Sequence, residues 1–112
     1  MGKAKNDTLQ GSLALLVLKS LDRGPMHGWG ITLHIRRISN EVLRVEEGSL
    51  YPALHRMEQE GWVAAEWGVS ENNRRARFYR LTTLGRRQLA AERENWRKIT
   101  GAVALVLDFE QA

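Results

Sequence analysis

The chain has 112 residues, 43% of them hydrophobic and 27% charged: enough for one small domain with a modest core, and too apolar for a disordered segment. It has no cysteine, which excludes disulfides and thiolate metal sites and fits a reducing compartment, here expected to be the cytoplasm. The formal charge is +4, and its placement says more than its size, because six arginines between Ser70 and Arg87 face one acid, Glu71.

Met1 to Asn6 reads as a short polar tail, after which Asp7 is placed to cap a helix with Gln10 reaching back in a capping box. Leu9, Leu13, Leu16, Val17 and Leu21 make that first helix mostly apolar, and Arg23-Gly24-Pro25 ends it near Asp22. Its apolar run falls far short of the ~20 residues of a membrane span and lacks a secretory cleavage site, so no membrane association is expected. His27 to Ser39 reads as a second helix with Ile31, Ile35 and Ile38 on one stripe. His27 suits a hydrogen-bonding group at its start. Gly28 and Gly30 would let another backbone or a phosphate approach closely. Glu41 to Val45 is a short extended link.

Glu47 to Gly61, EGSLYPALHRMEQEG, is the stretch on which the functional reading rests. Leu50, Ala53, Leu54 and Met57 recur at i, i+3, i+4 and i+7 and give one apolar stripe to bury. The opposite side carries Gly48, Pro52, His55 and Gln59, flanked by Ser49, Arg56 and Tyr51. An ordinary solvated face would mix Lys and Glu; this one is short, hydrogen-bonding and mildly basic, as a helix that reads a DNA groove must be. Pro52 gives up a backbone bond and presses on the carbonyl of Gly48, the residue type that shifts its backbone most freely.

After Gly61 the pattern changes: Trp62 to Trp67 and Arg77 to Leu81 suit strands, with a polar loop from Gly68 to Arg75 between them. Thr82 or Thr83 starts a last helix running to about Leu107. Its positions Leu89, Trp96, Ile99, Val103 and Val106 follow a heptad seam that Glu92 interrupts. The predicted architecture is mainly α with a small β-hairpin: a winged helix-turn-helix over residues 1–82 and a C-terminal helix over 83–112, forming one structural unit. Such a wing would hold Arg74, Arg75 and Arg77 beside a duplex, against phosphates or in the minor groove.

Three enzyme or cofactor readings fail on spacing. His27, His34 and His55 come with no metal-ligand motif, Gly28-Trp29-Gly30 lacks the third glycine of a dinucleotide fingerprint, and Ser49 lies in no nucleophile elbow. Neither catalysis nor a cofactor is expected.

Glu47 to Glu58 followed by Gly61 resembles the G-S/T-L-Y-P-x-L-x-R-L-E-x-x-G signature of the PadR family of bacterial transcriptional regulators. Gly24-Pro25-Met26-His27-Gly28-Trp29 is similar to its G-P-x-H-G-Y turn, with Trp in place of Tyr. Arg75 to Thr82 is similar to its wing strand, and Gly85 falls where the family has a glycine. The resemblance spans roughly residues 9 to 100. It implies a homodimer held mainly by the last helix, repression through a palindromic operator, and release by a small effector. The single C-terminal helix resembles the smaller subclass.

On this reading Ser49 and Tyr51 hydrogen-bond phosphates, while His55 and Arg56, around Pro52, reach base edges. Trp96 has two readings: a packing anchor at the dimer seam, or one of two symmetry-related rings lining a slot for a planar apolar or aromatic effector. The alternatives of another class are a winged-helix protein-interaction module without an operator, and a ligand-binding dimer.

Overall fold

The structure is a computed structural model that describes residues 2–110, with side chains from residue 12 onward. In chain order it contains α1 (Gly2–Leu21), β1 (Met26–His27), α2 (Gly28–Ile38), α3 (Glu47–Gln59), β2 (Val63–Val69), β3 (Arg75–Leu81) and α4 (Thr83–Leu107). The helix expected to start at Asp7 begins upstream at Gly2, so Asp7 lies within it; the side chains of Asp7 and Gln10, and so their capping box, lie outside the described residues.

α1, α2 and α3 close around one core. Val17, Leu18, Leu21, Ile31, Leu50 and Leu54 are fully enclosed, and Leu13, Ile35, Ala53, Met57, Val63, Tyr79, Leu81 and Leu89 are buried around them. Each fully buried aliphatic side chain stabilises the fold by about 1.5–3 kcal/mol relative to leaving it in water. All four stripe residues of α3 are in this list, so that helix has one committed face.

The ends of the elements follow local chemistry. His27 caps α2, its Nδ1 accepting from the Gly30 N–H at 3.0 Å, the helix-start role read from the sequence. Behind α2, Asn40 and Glu41 both adopt left-handed backbone (φ 55° and 70°), and Glu41 holds Arg36 at 2.7 Å. α3 ends at Gln59, and Gly61 two residues on has a φ of 82° that favours glycine. The Trp62 and Gly61 N–H groups turn back onto the carbonyls of Met57 and Glu58. Thr82 caps α4 by accepting from the Gly85 N–H at 3.0 Å while its hydroxyl donates to the Gly61 carbonyl at 2.6 Å.

The sheet is larger than the expected hairpin. β1 pairs with β3 on the edge opposite β2, giving the order β1-β3-β2, all antiparallel. Two residues are too few to show a sequence period, which is why β1 was not visible in it. The wing strands also run further toward the tip, and the loop shrinks to Ser70–Arg74. Gly68, a loop residue by its sequence, lies within β2. The Phe78 ring lies over it so closely that a Cβ there would sit 2.9 Å from Phe78 Cδ1.

α4 packs its first turns against α1, where Arg86 meets Asp22 at 2.8 Å, and then runs on beyond the other elements. The chain is correspondingly long, 62 × 29 × 28 Å. The seam residues Trp96, Ile99, Val103 and Val106 are 43–76% exposed, and Leu107 and Phe109 near the end of the chain are equally open. No helix among the described residues is long and apolar enough to cross a membrane.

Candidate nucleic-acid interface

With its apolar stripe buried, α3 presents Ser49, Tyr51, Pro52, His55 and Arg56 to solvent, all five exposed. Among the described residues neither His55 nor Arg56 forms an ion pair, so both keep their hydrogen-bonding groups for a partner. The N-cap residue Glu46 makes no side-chain cap, and Glu47 sets a carboxylate in the first turn, against the positive end of the helix dipole. Beside them, a Cβ built on Gly48 would meet nothing within 4 Å, so the surface there is flat and accessible.

Tyr51 is positioned rather than loose. Its ring lies across Gly28, the first residue of α2, and a Cβ at Gly28 would fall 2.5 Å from the Tyr51 hydroxyl oxygen. The close approach that the glycine permits is therefore made by an aromatic ring, not by the backbone or phosphate expected from the sequence. Partial burial, and secondarily the Glu47 carboxylate, raise the Tyr51 pKa above its ordinary value, so the hydroxyl stays a donor at neutral pH. Gly28→Ala is expected to leave the thermal transition nearly unchanged, because the ring can swing into solvent. The same swing should weaken duplex binding about tenfold by removing the fixed hydroxyl, measurable as fluorescence anisotropy of a labelled duplex.

The wing lies along the Tyr51 flank of α3. Glu58, two turns after Tyr51 on the same flank, accepts a hydrogen bond from Arg77 at 2.8 Å. Arg77 was expected to reach outward like its neighbours; its guanidinium instead ties β3 to the recognition helix, and its remaining N–H groups stay half-exposed. Strand alternation places Val63, Ala65, Trp67 and Val69 of β2 on one face, paired with Leu81, Tyr79, Arg77 and Arg75 of β3. This face begins in the core and runs past the edge of α3 toward the tip, where Arg75 lies over the Trp67 ring at 4.5 Å. Arg74, at the end of the loop, is exposed.

At the tip Glu71 reaches back to His27 Nε2 at 3.3 Å, and His27 meets Phe78 edge to face. A backbone hydrogen bond within Glu71 and then the His27 contact hold its carboxyl below its ordinary pKa. The acid that stood alone among the arginines is thus turned toward α2. Trp67 and Glu58 were not singled out in the sequence as site residues. Alternation would have put Trp67 on the core-side face, but only the register with β3 brings it to Arg75.

Beneath the first turn of α3 lies an apolar cavity of about 360 Å³ between α1, the α2–α3 link and α4. Leu13 and Leu16, Val45 and Glu46, Ser49 of the recognition helix, and Trp96 line it. Trp96 therefore borders a partly open apolar cleft and shares it with a residue of the α3 surface.

Comparison with known proteins agrees with this geometry. The model of the transcriptional regulator PadR-like family matches residues 17–91. The chain is 33% identical over 84 residues to the transcriptional regulator Rv3488 of Mycobacterium tuberculosis, covering 75% of each chain. Its fold is similar to that of a transcriptional regulator from Clostridium thermocellum (TM-score 0.79, 26% identity, 88% of this chain and 95% of that one). It is also similar to a PadR family regulator from Eggerthella lenta (TM-score 0.74, 27% identity, 96% and 93%). A winged helix with this α3 sequence, a family match from the end of α1 through the wing to the start of α4, and relatives named as regulators lead to one conclusion: the chain belongs to the PadR-like family of transcriptional regulators.

Proposed function

We propose that this regulator is a sequence-specific DNA-binding homodimer that represses transcription from a pseudo-palindromic operator. The observation that supports the reading is a contact: Glu58 of α3 holds Arg77 of the wing at 2.8 Å, which couples the helix with the exposed Tyr51, His55 and Arg56 to the strand that carries Arg75. In this account Ser49 and Tyr51 hold phosphates, His55 and Arg56 read base edges around Pro52, and Arg74, Arg75 and Arg77 follow the flanking backbone. Residues 1–82 are the DNA-binding part. Residues 83–112 dimerise, since a seam of half-exposed Trp, Ile and Val on one helix face is what a second copy would cover.

The dimer doubles the +4 charge of one chain and spans two major grooves about 34 Å apart, so half-sites should lie one helical turn from each other. The effector is a planar apolar or aromatic molecule in the cavity beside Trp96. Because Val45, Glu46 and Ser49 form part of its wall, an occupant bears on the first turn of α3 and so on the posture of the recognition helix. The protein works where DNA is transcribed, in the cytoplasm, and needs neither cofactor nor catalysis.

Selection of bound fragments from genomic DNA, followed by mobility shift of the best one, tests this reading. It predicts one enriched pseudo-palindrome, a dimer by sedimentation, and a loss of affinity of several orders of magnitude between about 50 and 200 mM salt. No enrichment over random duplex would point to a protein-interaction module. Quenching of Trp96 fluorescence by planar compounds, with DNA affinity unaffected, would point to a ligand-binding dimer.

A further inference from the structure

On its core-side face the wing carries a row that changes character along its length. Nearest the helices Tyr79 and Leu81 are buried; next come Arg77, held by Glu58, and Trp67, its partner across the ladder; Arg75 follows one step further toward the tip, and Trp67 and Arg75 are both exposed. Trp67 is 59% exposed although it sits mid-strand on the face that elsewhere forms the core. Successive residues on one face of a strand lie about 7 Å apart, so Arg75 lies one such step beyond the Arg77–Trp67 pair and the α3 contact. Its one described side-chain partner is Arg75, whose guanidinium carbon lies 4.5 Å from the ring centroid.

We propose that Trp67 and Arg75 form one stacked unit that docks on the sugar-phosphate backbone flanking the site read by α3. The proposal rests on the DNA-binding reading above and adds a residue to it. A guanidinium lying on an aromatic ring uses its face for the cation–π contact and leaves the N–H groups at its edge directed outward, the geometry that meets phosphate oxygens two at a time. Stacking also removes rotamer freedom from a long side chain before DNA arrives, so less is lost on binding. Trp67 is thus a positioning residue for Arg75, and its exposed ring edge supplies apolar surface for a deoxyribose. The chemistry of the partner follows from charge. Arg74 and Arg75 stand at this end of the wing, and the acid of the wing loop, Glu71, is turned back to His27. The surface therefore selects a polyanion with apolar rungs rather than a neutral protein face.

Three variants of the full chain test this: Trp67→Ala, Trp67→Phe and Trp67→Ala/Arg75→Ala. They are compared with Arg75→Ala and wild type by anisotropy on a duplex selected by the wild type and on a random duplex. Trp67→Ala should bind both duplexes about tenfold more weakly, Trp67→Phe within about threefold of wild type, and the double variant no worse than Arg75→Ala by more than about twofold. Because Trp67 is exposed, the melting temperature of Trp67→Ala should match the wild type. An independent readout is intrinsic fluorescence: duplex should change the wild-type emission, and the change should shrink in Trp67→Phe. Wild-type affinity in Trp67→Ala, multiplying losses in the double variant, or an identical fluorescence change in Trp67→Phe would overturn the stacked unit. A wild-type protein that binds neither duplex would overturn the DNA reading beneath it.

Discussion

Alanine at Gly85 is expected to lower the melting temperature by on the order of 10–15 °C, a loss of about 3 kcal/mol. Gly85 is buried in the first turn of α4, where a Cβ would overlap the carbonyl oxygen of Trp62 and come within 2.9 Å of Leu81 Cδ1. The obstacle is backbone, which cannot rotate away as a side-chain tip can. The same carbonyl accepts from the Thr82 N–H at 3.1 Å, and Thr82 in turn caps α4 through the Gly85 N–H. Shifting α4 outward to admit the methyl would therefore break the cap as well as the contact between helix and sheet. Gly101 in the same helix is the control. A Cβ there meets nothing within 4 Å, and Gly101→Ala should stabilise by up to ~1 kcal/mol through helix propensity. Circular dichroism melts of the two variants should move in opposite directions; a Gly85→Ala protein that melts with the wild type would show that the junction is not packed as described.

The second large effect separates the two arms of the interface. Arg56→Ala should relax discrimination at one base pair in each half-site, by on the order of 1–3 kcal/mol, while changing affinity for random duplex little. Arg75→Ala should weaken binding to every duplex about equally and flatten the salt dependence by about one ion per protomer. The contrast follows from placement. Arg56 is an exposed residue of a helix that has surrendered its other face to the core, and it has no partner carboxylate among the described residues. Arg75 stands on the wing, stacked on an indole and beyond the reach of α3. Competition binding on a panel of single-base variants measures both. Parallel losses on cognate and random duplex from the two substitutions would refute the division of roles.

How much of this could be read from the chain varies with the kind of interaction. The α3 stripe was legible because Leu50, Ala53, Leu54 and Met57 repeat with the helical period, and all four are buried. The start of α4 at Thr82 or Thr83 and the role of His27 were legible because capping is local, and the structure makes Thr82 the cap and Thr83 the first helical residue. The tip of the wing was not. Gly68 reads as a loop residue until Phe78, ten positions later, is laid over it. The Glu58–Arg77 pair joins residues 19 apart on different elements, and the Trp67–Arg75 stack depends on strand register. Each of these is set by tertiary pairing, which leaves no periodic trace in the sequence. The same limit hid the cavity. Trp96 could be placed on a heptad seam, but not against Ser49 and the α2–α3 link.

The central claim is that the exposed face of α3 and the wing engage one side of B-form DNA together, twice per dimer. Hydroxyl-radical footprinting of the selected fragment, paired with guanine N7 methylation interference, tests it most directly. The account predicts two symmetric protected patches centred about one helical turn apart. Interfering guanines should fall inside each patch and backbone protection should extend past its outer edge. A single unsymmetric patch, or protection that survives methylation of every guanine in the site, would contradict it.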